Sequence, residues 1–344
     1  MMNFLSDPIL ALLWFGAVGL SVALYILLDG ADLGLGILSL FPRKESERAL
    51  MMHTMGPIWD ANETWLVIAG GMLFGAFPTA YGIILSALYI PVMTMLFGLI
   101  LRAASFEFHA FSVKKRFWSF LFGFGSLLAG VGQGLAVGGL LSGITIVNGE
   151  FAGSAFDFFT PLTVLLTIGV LMSYVFVGYA YLIKKTGAET SPGTYLRILI
   201  TGAVTGVALL GATLLLPTRS YLFFTRWTEY PSNYLLYCIT ALMGALSLWL
   251  ILLVFKRHTG PALHNLCLGI FICAMLGMLV GVFPYLIPPS MTIFEAASSR
   301  QTLLFMLVGL GPLFPIVLAY NFYLHKVFSR DEGEHKSRAQ IYGE

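Results

Sequence analysis

Apolar stretches of about twenty residues or more recur along the chain, separated by short polar clusters. The hydrocarbon core of a bilayer is about 30 Å thick and a helix rises about 1.5 Å per residue, so a stretch of this length predicts a transmembrane helix. Nine such spans are expected, near 8–32, 57–76, 78–101, 117–142, 158–183, 195–216, 233–255, 263–287 and 301–325. The second is the least regular, because its opening turns carry Asp60, Asn62 and Glu63. The break between the second and third rests mainly on Pro78.

The cations test this count independently. With nine spans, sixteen of the nineteen Lys and Arg residues fall on one side. They occupy the connections after spans one, three, five and seven and the C-terminal tail, leaving Arg219, Arg226 and Arg300 opposite. Basic loops stay in the cytoplasm, so the N-terminus is expected outside and the C-terminus inside. Removing the second span would exchange the sides of every later loop and erase the bias. The fold class is therefore all-α integral membrane, with about nine transmembrane helices. Residues 1–328 form a single polytopic membrane domain, and 329–344 a short charged cytoplasmic tail.

Composition agrees: 58% of residues are apolar and 10% charged, where a soluble chain carries about a quarter charged. Cys238, Cys267 and Cys273 lie in apolar runs without CxxC or Cys/His spacing, which leaves neither a disulfide framework nor a zinc site. The first apolar run exceeds a signal h-region and has no basic n-region, so it is expected to be retained. Gly130, Gly134 and Gly138 recur every fourth residue, and Gly269, Cys273, Gly277 and Gly281 form a similar row; such faces allow close helix contact. The GxGxxG register of a nucleotide loop is absent from the first.

Ionisable residues near a span are costly, and here they cluster. Asp29 and Asp32 end the first span, Asp60 and Glu63 open the second, and Arg102 and Glu107 follow the third. Each acid pair is three residues apart and shares a helical face. Acids are ordinary at a helix N-terminus, which offers a bland account of Asp60 and Glu63. Asp29 and Asp32, placed at the unfavourable C-terminal end, call for a counter-ion, and Arg102 is the nearest candidate. Arg102 alternatively snorkels to the interface, Trp59 and Trp65 fit an interfacial aromatic belt, and Glu295 reads as a solvated loop acid. The six histidines sit in loops or at helix ends on the basic side, so no facing pair of axial haem ligands is expected.

Four segments resemble subunit II of the cytochrome bd family of quinol oxidases. They are Asp29 to Gly36 (DGADLGLG); Pro57 to Leu66 (PIWDANETWL); Arg102 with Phe106-Glu107-Phe108; and Phe283 to Ser290 with Glu295 to Ser299. The resemblance runs from residue 8 to about 328. It implies a haem-free chain, with no metal of its own, paired as a heterodimer with a similarly folded subunit I. That partner would carry haem b and haem d and oxidise quinol, with a small single-helix subunit as a further candidate component. The complex would sit in the bacterial cytoplasmic (inner) membrane, reduce oxygen to water and draw protons from the cytoplasm. By position, Asp60 would be the proton-path carboxylate, with Glu63, Asp29, Asp32 and Glu107 as further candidates. Trp65 would be an oxygen-path or packing residue, and Asp29 and Arg102 an acid and a base that hold the complex together. Glu63 stands where some members carry an uncharged amide. Two other classes fit an acidic membrane cluster: an ion-coupled secondary transporter, whose inverted repeats are not visible here, and a purely structural partner.

Overall fold

The computed structural model describes residues 7–42, 44–55, 58–186, 192–256, 261–324 and 327. Pro57, the loop cations Arg43, Arg257 and Lys326, and the expected tail at 329–344 lie outside the described residues. The described chain is helical apart from two short antiparallel β pairs. Eight helices are long and apolar enough to span a membrane: α1 (Asp7–Leu38), α5 (Tyr89–Phe111), α6 (Lys115–Ser142), α7 (Pro161–Thr186), α8 (Pro192–Arg219), α10 (Ser232–Phe255), α11 (Pro261–Val282) and α13. The last runs over Arg300–Leu310 and continues past a turn at Gly311 to Leu324. The ninth expected span is α3 (Trp59–Ala76), whose 18 residues reach roughly 27 Å. Its polar opening turns make it less apolar than the other eight.

Several boundaries differ from expectation, among them the eighth span, whose helix ends at Val282 and not at 287 because Tyr285–Ile287 pair as a strand; two others matter for the site. The first helix continues six residues beyond 32, to Leu38. Its glycines do not end it. They bring it against its neighbours: a Cβ on Gly34 would fall 1.9 Å from the Tyr174 carbonyl oxygen, and one on Gly36 would meet the Ser126 side chain. The third expected span is two helices, α4 (Pro78–Ala87) and α5, parted at Leu88. Pro91 explains the break, because its ring opposes the carbonyl four residues earlier and it has no N–H to continue the ladder. Starting later, α5 also ends later, at Phe111.

α6 is the central helix of one half, packed along α5 and α7. The Gly130, Gly134 and Gly138 row faces α7, where Cβ atoms on the last two would lie 2.5 Å from Thr167 Cα and 2.6 Å from Thr163 Cα. A second row, Gly125 and Gly132, meets α5 equally closely. The row on α11 is different: Gly277 and Gly281 have only ordinary side-chain contacts. α7 also packs on α1 and α8, α1 on α3, and α10 on α11.

The two ends of the bundle are dressed differently. At one end α2 (Glu45–Met55), not expected from the sequence, lies across the mouths of α1 and α6. Its Met52 and Met55 pack with Leu35 and Phe122, and Glu45 accepts a hydrogen bond from Ser119. At the other end β1 (Ile146–Val147) and β2 (Glu150–Phe151) turn through Asn148 and Gly149, both at positive φ, as a two-residue hairpin of this kind requires. That end also holds α9 (Tyr221–Thr228), β3 (Tyr285–Ile287), β4 (Met291–Thr292) and α12 (Ile293–Ala296). Asp7 and Arg300 pair there at 2.8 Å. Glu295 is a cap and not a bare loop acid. Its carboxylate accepts from the N–H and hydroxyl of Thr292, which holds it below the usual carboxylate range.

Candidate functional site

Three helices bring charge into the protein interior. α1 supplies Asp29 and Asp32, α3 supplies Asn62 and Glu63, and α5 supplies Arg102. With α1 ending at Leu38 and α5 at Phe111, these side chains lie within helices and not at their ends. The end-of-helix argument for Asp29 and Asp32 is therefore replaced by a stronger one. Asp29 is 0% exposed and Asp32 3%, so each needs an internal partner.

Asp29 finds its partner in Arg102, whose Nη1 donates to Oδ1 at 2.8 Å. Nη2 of the same guanidinium donates to Glu63 Oε2 at 2.9 Å. Arg102 is itself 1% exposed, so it does not snorkel, and it leaves the set of loop cations that the topology argument used. Asp32 has no guanidinium of its own. Its Oδ2 accepts from Asn62 Nδ2 at 2.9 Å, and Lys185 of α7 acts on it electrostatically. The pairing of Asp29 with Arg102 follows the sequence expectation. The roles of Glu63 as second counter-ion and Asn62 as clamp do not, although their i, i+1 placement in the Asp60–Trp65 segment was visible.

The expected site residues thus divide. Asp29, Asp32, Glu63 and Arg102 converge. Asp60 sits in the first turn of α3 on its exposed face, and Glu107 is exposed on α5, so neither joins the buried group. Asp60 still lies close enough to act on Glu63. Trp65 is fully buried, edge-on to Phe314 at 5.6 Å, and so is not a belt residue. The sequence reading missed a second polar group. Gln133 of α6 bridges Tyr25 of α1 and Tyr174 of α7, at 2.6 and 2.5 Å. A lone glutamine in a glycine-rich apolar helix was the available signal.

No group of three or more His, Cys, Asp or Glu among the described residues is arranged to hold a metal ion. His109 points at Glu45, 3.7 Å away, and His264 packs on the Tyr181 ring at 5.4 Å. These two described imidazoles, one beside a carboxylate and one on a phenol ring, do not form an axial haem pair with each other. What the site offers is acid–base chemistry: two carboxylates and one guanidinium withdrawn from water, and a third carboxylate, Glu63, at its partly exposed edge.

The sequence profile of cytochrome bd terminal oxidase subunit II matches residues 10–328. The chain belongs to that family. Cytochrome bd-I ubiquinol oxidase subunit 2 of Escherichia coli (strain K12) is 26% identical over 363 residues, covering 94% of this chain and 95% of the relative. Cytochrome bd ubiquinol oxidase subunit 2 of Bacillus subtilis (strain 168) is 39% identical over 122 residues, 34% of this chain and 36% of the relative. A chain of the solved bd oxidase of Geobacillus thermodenitrificans shares the fold, with a TM-score of 0.78 at 14% identity over 93% of this chain and 98% of that one. Its apolar helices and this kinship make the chain a multi-pass protein of the bacterial inner membrane, and a subunit of a cytochrome bd-type oxidoreductase complex.

Proposed function

We propose that this chain is the haem-free half of a heterodimeric quinol oxidase, supporting a haem-bearing subunit I and admitting protons to it. Haem b and haem d belong to subunit I in this reading, and there supply electron transfer from quinol to oxygen. The observation that carries it is the interior group itself: the buried Asp29 and Asp32 and the partly buried Glu63 around the single guanidinium of Arg102. Reducing one oxygen to two waters consumes four protons, which must reach a buried centre through protein. A group with more carboxylates than cations can hold a proton without a large change in fold.

The group lies toward the end of the bundle where Lys44, Arg48, Lys114, Lys115 and Arg116 gather, which supports a cytoplasmic position for that end. Asp60, exposed and within electrostatic reach of Glu63, then serves as the entry carboxylate. Glu63 passes the proton inward, and Arg102 stabilises whichever acid is ionised. Glu107, exposed on α5, is an alternative collector at the same end. Trp65 closes the dry side of the cluster against α13.

The test is quinol-dependent oxygen uptake by the purified, fully haem-loaded complex carrying Asp60→Asn. Loss of the entry carboxylate is expected to slow turnover at least tenfold, about 1.4 kcal/mol in the barrier. If Asp60 only complements the helix dipole, turnover stays at the parental rate and the proton-entry assignment fails.

A further inference from the structure

At the end of the bundle away from the basic loops, α9 packs against α8, α10 and α11. Phe223 holds it there, buried with Leu141, Leu162, Leu166 and Ala212. Tyr221 and Phe224 are left outside, 77% and 49% exposed. Just beyond the helix, Tyr230 and Tyr234, 80% and 62% exposed, meet edge-on at 5.8 Å. Exposed aromatic rings gathered at one level of a membrane protein mark the headgroup region, and a short helix with one buried and one aromatic side lies within it.

A groove of about 510 Å³ opens at this level, bordered by α9 and the segment around β3 and lined by Ser220, Tyr221, Arg226, Glu229 and Tyr285 among others. It is charged at two points. Arg226 Nη2 donates to the Phe283 carbonyl, which fixes the guanidinium against the segment leading into β3, while its Nε has no hydrogen-bond partner. Glu229 is exposed at the C-terminal end of α9, where its N–H bonds the Thr225 carbonyl and so keeps a helical placement. Among the described residues, Arg226 and Glu229 form no ion pair with each other or with any other side chain. Arg300, at the same end of the bundle, is by contrast paired with Asp7. A cation and an anion thus line one groove, three residues apart and each without a charged partner.

We infer that this groove binds the headgroup of a phosphatidylethanolamine, with its phosphate on Arg226 and its ammonium on Glu229. Side chains three residues apart on a helix stand about 5–6 Å from each other at Cβ, a spacing comparable to that of the two charges in an ethanolamine headgroup. Both contacts are charge-assisted hydrogen bonds, guanidinium to phosphate and ammonium to carboxylate. A phosphatidylglycerol would satisfy Arg226 but leave Glu229 facing an anion without a cation. A choline headgroup carries its positive charge on a nitrogen with no N–H to donate. The groove is separate from the acid–arginine group, and the inference does not depend on the proton-access reading.

Photo-cross-linking of the assembled, haem-loaded complex in lipid nanodiscs reads the site directly. The probe is phosphatidylethanolamine with a diazirine near its headgroup, and mass spectrometry locates the labelled peptides. Labelling is expected on residues 220–229 and 284–289, and unlabelled phosphatidylethanolamine should suppress it about threefold more effectively than phosphatidylglycerol or phosphatidylcholine. Arg226→Gln is expected to lower labelling there about fivefold, with labelling of the other lipid-facing helices as the reference. Glu229→Gln should abolish the preference for phosphatidylethanolamine over phosphatidylglycerol. Haem content equal to the parent shows that a variant is assembled, and Glu229→Gln carries the test if Arg226→Gln does not assemble. No labelling of these two segments, the result if a protein segment covers the groove, overturns the inference. So does equal suppression by the three lipids in the parent, or an unchanged preference in Glu229→Gln.

Discussion

Arg102 is where the stability of this subunit is most exposed to a single change. Arg102→Leu keeps most of the buried volume and removes two charge-assisted hydrogen bonds, at 2.8 Å to Asp29 and 2.9 Å to Glu63. Each such bond contributes about 1.5–3 kcal/mol, and the Glu63 side chain, 20% exposed, recovers part of its share from water. Asp29, with no exposure, recovers nothing. Leaving a buried charge uncompensated destabilises by about 3–5 kcal/mol, which sets the expected loss. The useful comparison is a double-mutant cycle with Asp29→Asn. Neutralising the orphaned acid should return about 2 kcal/mol of that loss, so the double variant is more stable than Arg102→Leu alone. The assay is the free energy of unfolding in mixed detergent micelles, followed by circular dichroism. A single variant within about 1 kcal/mol of the parent, as for an exposed ion pair, would refute the reasoning. So would a double variant whose loss is the sum of the two singles.

Three further outcomes are expected. Gly34→Ala drives a methyl into the Tyr174 backbone carbonyl and Gly178, so α1 and α7 must separate; an overpacking loss of about 1–3 kcal/mol or more is expected in the same unfolding assay. Gly16→Ala on the same helix meets nothing within 4 Å and should be neutral or gain up to about 1 kcal/mol from helix propensity. For orientation, Lys115→Cys, exposed at the start of α6, should react with a membrane-impermeant maleimide in inverted vesicles and not in intact cells; the reverse pattern would turn the topology over.

Hydropathy and cation placement carried the architecture. A bilayer admits only lengths of apolar helix, so the spans are legible one at a time, without knowledge of their neighbours. The same is true of the family, through the DGADLGLG and PIWDANETWL segments and the family profile that covers residues 10–328. Helix ends were less legible. The glycines after Asp32 look like a stop, and only the close approach of α7 shows that they are contact points within a continuing helix. Moving that end to Leu38, and the end of α5 to Phe111, changed the meaning of Asp29, Asp32 and Arg102 from interfacial charges to interior ones. Spacing rules could pair Asp29 with Asp32 and Asp60 with Glu63, because those faces belong to single helices. They could not say that Glu63 turns inward to Arg102 while Asp60 faces out, since that depends on how α3 is rotated against α1 and α5. Gln133 was silent for the same reason: its partners lie 108 and 41 residues away in the chain. Contacts between helices are made by side chains that no local pattern relates, and only their packing decides which buried polar atoms find each other.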